Sequence, residues 1–186
     1  MPNIKDAKIL ILATNGFEQS ELEQPKSDLS KAGAAVHVAT PDGEAIKGWD
    51  GGDWGQSVDA DLKLADVSAN DYDALVLPGG QINPDILRTN KDAVALIRTF
   101  HAQGKVIAAI CHAPWLLIEA GIIEGRKATS YGSISTDMKN AGAHWEDSEV
   151  VADNGIVTSR SPEDLDAFAA KIIEEIEEGT HERAAA

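Results

Sequence analysis

Cys111 is the one cysteine of the chain, and its setting is the sharpest chemical signal in the sequence. It follows the apolar run Lys105–Ile110 at once and precedes Ala113–Ala120, a segment of helical character, with no turn residues between. A strand that meets a helix without a spacer makes a nucleophile elbow, a sharp turn that projects one side chain. A thiol at a helix N-terminus feels the positive end of the dipole, which predicts a lowered pKa and a reactive thiolate. The competing reading is a buried, inert cysteine, because free cysteine is among the most buried residue types. One cysteine excludes an intrachain disulfide and a thiolate zinc site.

Three further positions supply partners for a thiol. His112 is the adjacent base, although neighbours at an elbow need not face each other, and it can contribute its backbone N–H alone. Glu18 follows the first strand; in a mostly apolar pocket its pKa would rise and it would donate a proton to sulfur. The alternative for Glu18 is a helix-start carboxylate that complements the dipole. The pair Gly79-Gly80 ends another strand, and one of these N–H groups with that of His112 would form an oxyanion hole. His144-Trp145-Glu146 has H-x-E spacing but sits in a polar stretch near an edge, so it reads as surface. The five histidines show no H-x-x-x-H or H-E-x-x-H spacing, so no metal site is expected.

The elements that must position these groups follow from apolar runs and their punctuation. Lys8–Ala13, Ala35–Ala39, Tyr72–Leu77 and Lys105–Ile110 read as strands, with short ones at Lys127–Tyr131, Glu149–Ala152 and Ile156–Ser159. Asp153-Asn154-Gly155 between the last two predicts a hairpin. Glu44–Lys63, rich in Gly, Asp and Trp, reads as a hairpin carrying a loop. Helical spacing marks Glu18–Lys31, Asn90–Gln103 with Asn90 as N-cap, Ala113–Ala120, Ser135–Asn140, and a last helix with Ser161 as N-cap and Pro162 at its first position. Pro25 predicts a kink or break at Gln24. Strands alternating with helices give an α/β sandwich on a mostly parallel sheet, whose ligands bind at the carboxyl ends of the strands. A single domain over 1–186 is expected, ordered from about 7 to 178, with a frayed tail at 179–186.

Composition narrows the function classes. Lys and Arg number 16 against 31 Asp and Glu, a formal charge of −15. Such a chain is repelled by phosphate backbones and anionic membranes, and no basic patch offsets this, so no nucleic-acid partner is expected. No apolar stretch approaches the ~18 residues of a membrane span, and the polar start resembles no signal segment. A reducing cytoplasm is the expected compartment.

The segments KILILATNGFEQSEL, YDALVLPGG, NPDILR, VIAAICHAPWLLIEAGIIEGRKATSY, DMKNAG and VVADNGIVTSRSPEDL span Lys8 to about Phe168. Together they resemble the PfpI family, the intracellular protease and general stress branch of the DJ-one/PfpI superfamily. The A-I-C-H-A elbow and the L-P-G-G turn carry the most specificity, and GWDGGDWG looks like the bacterial general-stress branch. The resemblance implies a flavodoxin-like three-layer sandwich of the class I glutamine amidotransferase type, assembled at least as a homodimer, with no cofactor. It implies that Cys111 and His112 form the site and that Glu18 contacts the thiol. It also implies that an acid from a neighbouring subunit orients the histidine; the matching position holds Asp85, where the family has Glu. Tyr131 matches a tyrosine near the site. The implied activity is cysteine-dependent conversion of reactive carbonyls, methylglyoxal to lactate, or removal of early glycation adducts. Peptide hydrolysis at the same site, and a redox-responsive stress or chaperone role with a cysteine sulfinate stabilised by Glu18, are the alternatives.

Overall fold

The computed structural model describes residues 2–183. Its centre is a seven-stranded sheet. In chain order the strands and helices are β1 (Lys8–Leu12), β2 (Phe17–Glu18), α1 (Gln19–Ala32), β3 (Ala35–Thr40), β4 (Ile46–Asp50), β5 (Asp53–Val58), β6 (Leu62–Lys63) and β7 (Ala74–Leu77). They continue as α2 (Ile82–Leu87), α3 (Lys91–Ala102), β8 (Val106–Ile110), α4 (Pro114–Ala120), β9 (Lys127–Ala128) and α5 (Ser135–Asn140). The last elements are β10 (His144–Trp145), β11 (Val150–Asp153), β12 (Ile156–Ser159) and α6 (Leu165–Glu178). The central order is β11-β12-β8-β7-β1-β3-β6, parallel except for the β11–β12 hairpin.

Both faces of the sheet are covered, which explains why its strands are continuous apolar runs. Period-two alternation splits each strand between two cores. Leu10, Leu12, Leu75, Leu77 and Ile107 face α3 and α4, where Ile97, Phe100, Leu116 and Leu117 meet them. Ile9, Ile11, Val76, Ala108 and Ile110 face α1 and α6, where Leu22, Leu29, Phe168 and Ile172 meet them. The chain crosses from one face to the other between β1 and β7, and the carboxyl ends of β1, β7 and β8 lie side by side there. A crevice at this topological switch point is where an open α/β sheet binds ligands.

The structure departs from expectation at several elements. Helix α1 runs unbroken through Pro25. Proline removes only the ladder bond to the Glu21 carbonyl, and its ring is buried against the core, so the helix survives. Helix α2 was not expected; it is one and a half turns of INPDIL, too short for a periodic signal. Ser161 makes no capping bond, and a 3-10 turn over Pro162–Asp164 leads into α6. The tail is docked through Arg183, where a frayed end was expected. His181 N–H donates to the Gly104 carbonyl, and Arg183 donates to the carbonyls of Asn154 and His101. Residues 184–186 of that expected tail lie outside the described residues. Among the described residues no helix is long and apolar enough to cross a membrane.

The two hairpins form as expected. Asn154 and Gly155 both take positive φ, 49° and 78°, as a tight two-residue turn requires. β4 and β5 pair antiparallel, and β4 also pairs with β2 in a small second sheet. That second sheet hangs over the carboxyl end of β1 and holds Glu18.

Candidate active site

Cys111 has φ 64°, a left-handed conformation that L residues other than Gly, Asn and Asp rarely adopt. The strain is held by two flanking bonds. Cys111 N–H donates to the Ser159 carbonyl at 3.0 Å, and Tyr131 N–H donates to the Cys111 carbonyl at 2.8 Å. The side chain is only 6% exposed. Sγ points into a cavity of about 280 Å³ lined by Gly16, Glu18, Trp49, Gly80, Ile82, His112 and Tyr131, among others.

His112 turns toward the thiol. Its Nδ1 lies 3.2 Å from Sγ, and its Nε2 lies 3.2 Å from Ser133 Oγ. The ring stacks on Tyr131 with centroids 4.8 Å apart and meets Trp115 edge-on at 5.1 Å. Burial lowers its pKa, so the neutral imidazole is favoured. With the proton on Nε2 and donated to Ser133, Nδ1 is free to accept the thiol proton. Asp85 makes no hydrogen bond to His112 within the chain. It lies exposed on α2, on the rim of a groove formed by Gln81, Ile82, Ile86 and Trp115.

The carboxyl against the thiol is Glu21, not Glu18. Glu21 is fully buried and interacts with the Cys111 side chain, while its Oε2 accepts the Gly79 N–H at 2.9 Å. Burial, with Glu18 nearby, pushes its pKa up to about 8, so at neutral pH it carries a proton. Glu18 lies three residues earlier, at the start of α1, makes no side-chain cap, and lines the cavity mouth. Helical spacing carries the signal for Glu21: it shares the buried stripe of Leu22, Pro25 and Leu29. A glutamate on a core stripe is an anomaly that points to function.

Two more expectations change. The Gly79 N–H, expected to face an oxyanion, donates to Glu21 in this structure. The N–H groups of Gly80 and His112 approach Sγ instead, and that of Gly80 also approaches the Glu21 carboxyl. The thiol pKa is pushed up, not down. Burial dominates, the Glu21 charge adds to it, and the two backbone N–H groups oppose it without winning. α4 starts only at Pro114 and has seven residues, so its dipole is short and offset from Cys111. A proton shared between Glu21 and Cys111 therefore decides how much thiolate is present.

The three loops are tied together by Asn83, which sequence reasoning missed. Its Oδ1 accepts the Thr14 N–H at 2.7 Å, and its Nδ2 donates to the carbonyls of Pro78 and Gly79. Gly80, at φ 80°, packs so closely that an added Cβ would lie 2.5 Å from the Gly16 carbonyl and 2.7 Å from the Glu18 nitrogen. His144 stands apart from this site, exposed on β10 beside β9. His181 does enter a cluster of potential ligands with Glu175 and Glu178, which the histidine spacing did not foretell. That cluster lies at the opposite end of the sheet, and His181 is already paired with Glu175 at 3.4 Å.

The model of the DJ-1/PfpI family matches residues 7–175. The chain belongs to the DJ-1/PfpI family. It is 44% identical over 166 residues to Deglycase PfpI of Pyrococcus furiosus, covering 89% of this chain and 97% of that protein. It is 44% identical over 163 residues to Protein/nucleic acid deglycase 2 of Escherichia coli, covering 87% and 92%. The crystal structure of Drosophila melanogaster DJ-1beta superposes with a TM-score of 0.83 at 31% identity, over 93% of this chain and 95% of that one.

Proposed function

We infer that this chain is a cysteine-dependent enzyme of the deglycase and glyoxalase type, acting on reactive carbonyls and their early adducts. The observation that carries the reading is the Cys111 sulfur, held by a left-handed elbow between His112 Nδ1 and the buried carboxyl of Glu21. The names of four curated relatives at 41–44% identity, all deglycases of Thermococcus and Pyrococcus species, support it.

The chemistry follows from the groups present. Sγ adds to the aldehyde carbon of methylglyoxal while His112 Nδ1 takes the thiol proton, and the carbonyl oxygen is received by the Gly80 and His112 N–H groups. The resulting hemithioacetal loses the hydrogen on that carbon as a proton and regains one at the neighbouring carbon. This internal rearrangement makes a thioester of lactic acid, with no outside oxidant or reductant. Water opens the thioester, releases lactate and restores the thiol. Glu21, protonated at rest, is placed to exchange protons with sulfur and the adjacent carbons. An early adduct enters the same sequence once it presents the aldehyde carbon to sulfur, and the amine or thiol it was built on leaves.

The test is lactate release from methylglyoxal in amine-free buffer. The parent makes lactate catalytically, and Cys111→Ser abolishes it. Glu21→Gln, which keeps the shape but cannot cycle a proton, slows it by about 100-fold or more. A Cys111→Ser protein with full activity would overturn the assignment.

A further inference from the structure

Glu18 is released from the thiol by Glu21, and its carboxylate is left with another task. Parallel register sets Glu18 of β2 opposite Trp49 of β4. Paired positions on neighbouring strands send their side chains to the same face, and both residues line the cavity over Cys111. Trp49 is fixed edge-on by Trp54, with centroids 5.5 Å apart. Glu18 makes no side-chain cap, and among the described residues no salt bridge reaches it. Among the described residues no Lys or Arg lines the cavity; partial burial, and then the nearby negative charge of Asp50, raise the Glu18 pKa from its ordinary value.

We propose that Glu18 and Trp49 are specificity-determining residues that select substrates carrying a positive charge next to the reactive carbonyl carbon. A carboxylate beside an indole ring attracts guanidinium and ammonium groups by charge and, where the cation meets the ring face, by the ring quadrupole. The same pair repels a phosphate or carboxylate, as does the charge of −15 on the whole chain. The fitting substrates are adducts on basic amino-acid side chains, in preference to phosphate-bearing nucleotides. This rests on the proposed activity for its substrate class. The charge selection itself is a property of the cavity mouth and can be read without turnover.

The experiment measures Cys111 labelling by two methanethiosulfonates of matched length, one ending in a quaternary ammonium and one in a sulfonate. Each rate is divided by the reagent's rate with a small thiol. The parent gives a cation-to-anion ratio of at least about ten, which falls toward one as salt rises from about 0.05 to 0.5 M. Glu18→Gln and Trp49→Leu each cut the ratio to about three or less. A parent ratio near one overturns the proposal, and so does a high ratio that both variants retain. The salt series shows on the parent that the selection is electrostatic, and the two variants separate the local pair from the charge of the whole chain. In parallel, lactate is measured from the methylglyoxal hemithioacetals of thiocholine and of N-acetylcysteine. Faster release from thiocholine, lost in Glu18→Gln, extends the selection to turnover. If neither adduct yields lactate while the labelling ratio stands, the activity reading fails and the charge selection survives.

Discussion

Replacing Glu21 by Gln makes the protein more stable relative to the parent as pH rises, by an amount set by burial. The carboxyl ordinarily titrates at 4.5 and here at about 8. Between those values the folded chain holds a proton that the unfolded chain has released, so stability falls as pH rises through this window and levels off above about 8. At about 1.4 kcal/mol per pH unit, the interval from 4.5 to about 8 corresponds to a loss on the order of 5 kcal/mol. The coupling to Cys111 does not blunt this below pH 8, because burial raises the thiol pKa and keeps its proton on. Gln retains an oxygen to accept the Gly79 N–H and has no proton to lose. The assay is urea unfolding of both proteins from pH 4.5 to 9, read as the difference between them, so that titrations common to both cancel. The difference is expected to shift in favour of the variant by about 2–5 kcal/mol across the window. Parallel curves would refute the claim that Glu21 is buried with its proton at neutral pH.

Other perturbations report on separate parts of the site. Gly80→Ala places a Cβ 2.5 Å from the Gly16 carbonyl at a position with φ 80°; it should cost about 2–4 kcal/mol in chemical denaturation and abolish lactate release. Ser133→Ala removes the partner of His112 Nε2; the loss of about 1 kcal/mol of orientation should lower kcat by roughly three- to tenfold with the fold intact, and Ser133→Thr should restore most of it. Ending the chain after Gly179 deletes the His181 and Arg183 bonds and leaves the buried Glu175 without His181; Tm should fall by about 4–8 °C, whereas an unchanged Tm would mean the tail contributes nothing.

The composition of the strands determined the fold class. Residues of Lys8–Ala13 and Lys105–Ile110 are apolar at both alternating positions, which only a sheet covered on both faces satisfies. The elbow was equally legible, because Ile110-Cys111-His112 offers no residues in which to make a wider turn. What periodicity could not decide was which carboxylate meets the sulfur. Glu18 and Glu21 stand three residues apart at the start of one helix, and the choice depends on the angle at which α1 packs on β3 and α6. That angle buries Glu21 against Gly79 and leaves Glu18 to β2, at the cavity mouth. The same holds for the glycine N–H that faces sulfur, since Gly79 and Gly80 are equivalent as residue types until folding turns Gly79 to Glu21 alone and Gly80 to both Glu21 and the thiol. The thiol's pKa depends on tertiary structure for a related reason. A helix dipole can be read from local order, but desolvation is a sum over every element that closes around Cys111, and those elements are brought together only by tertiary folding.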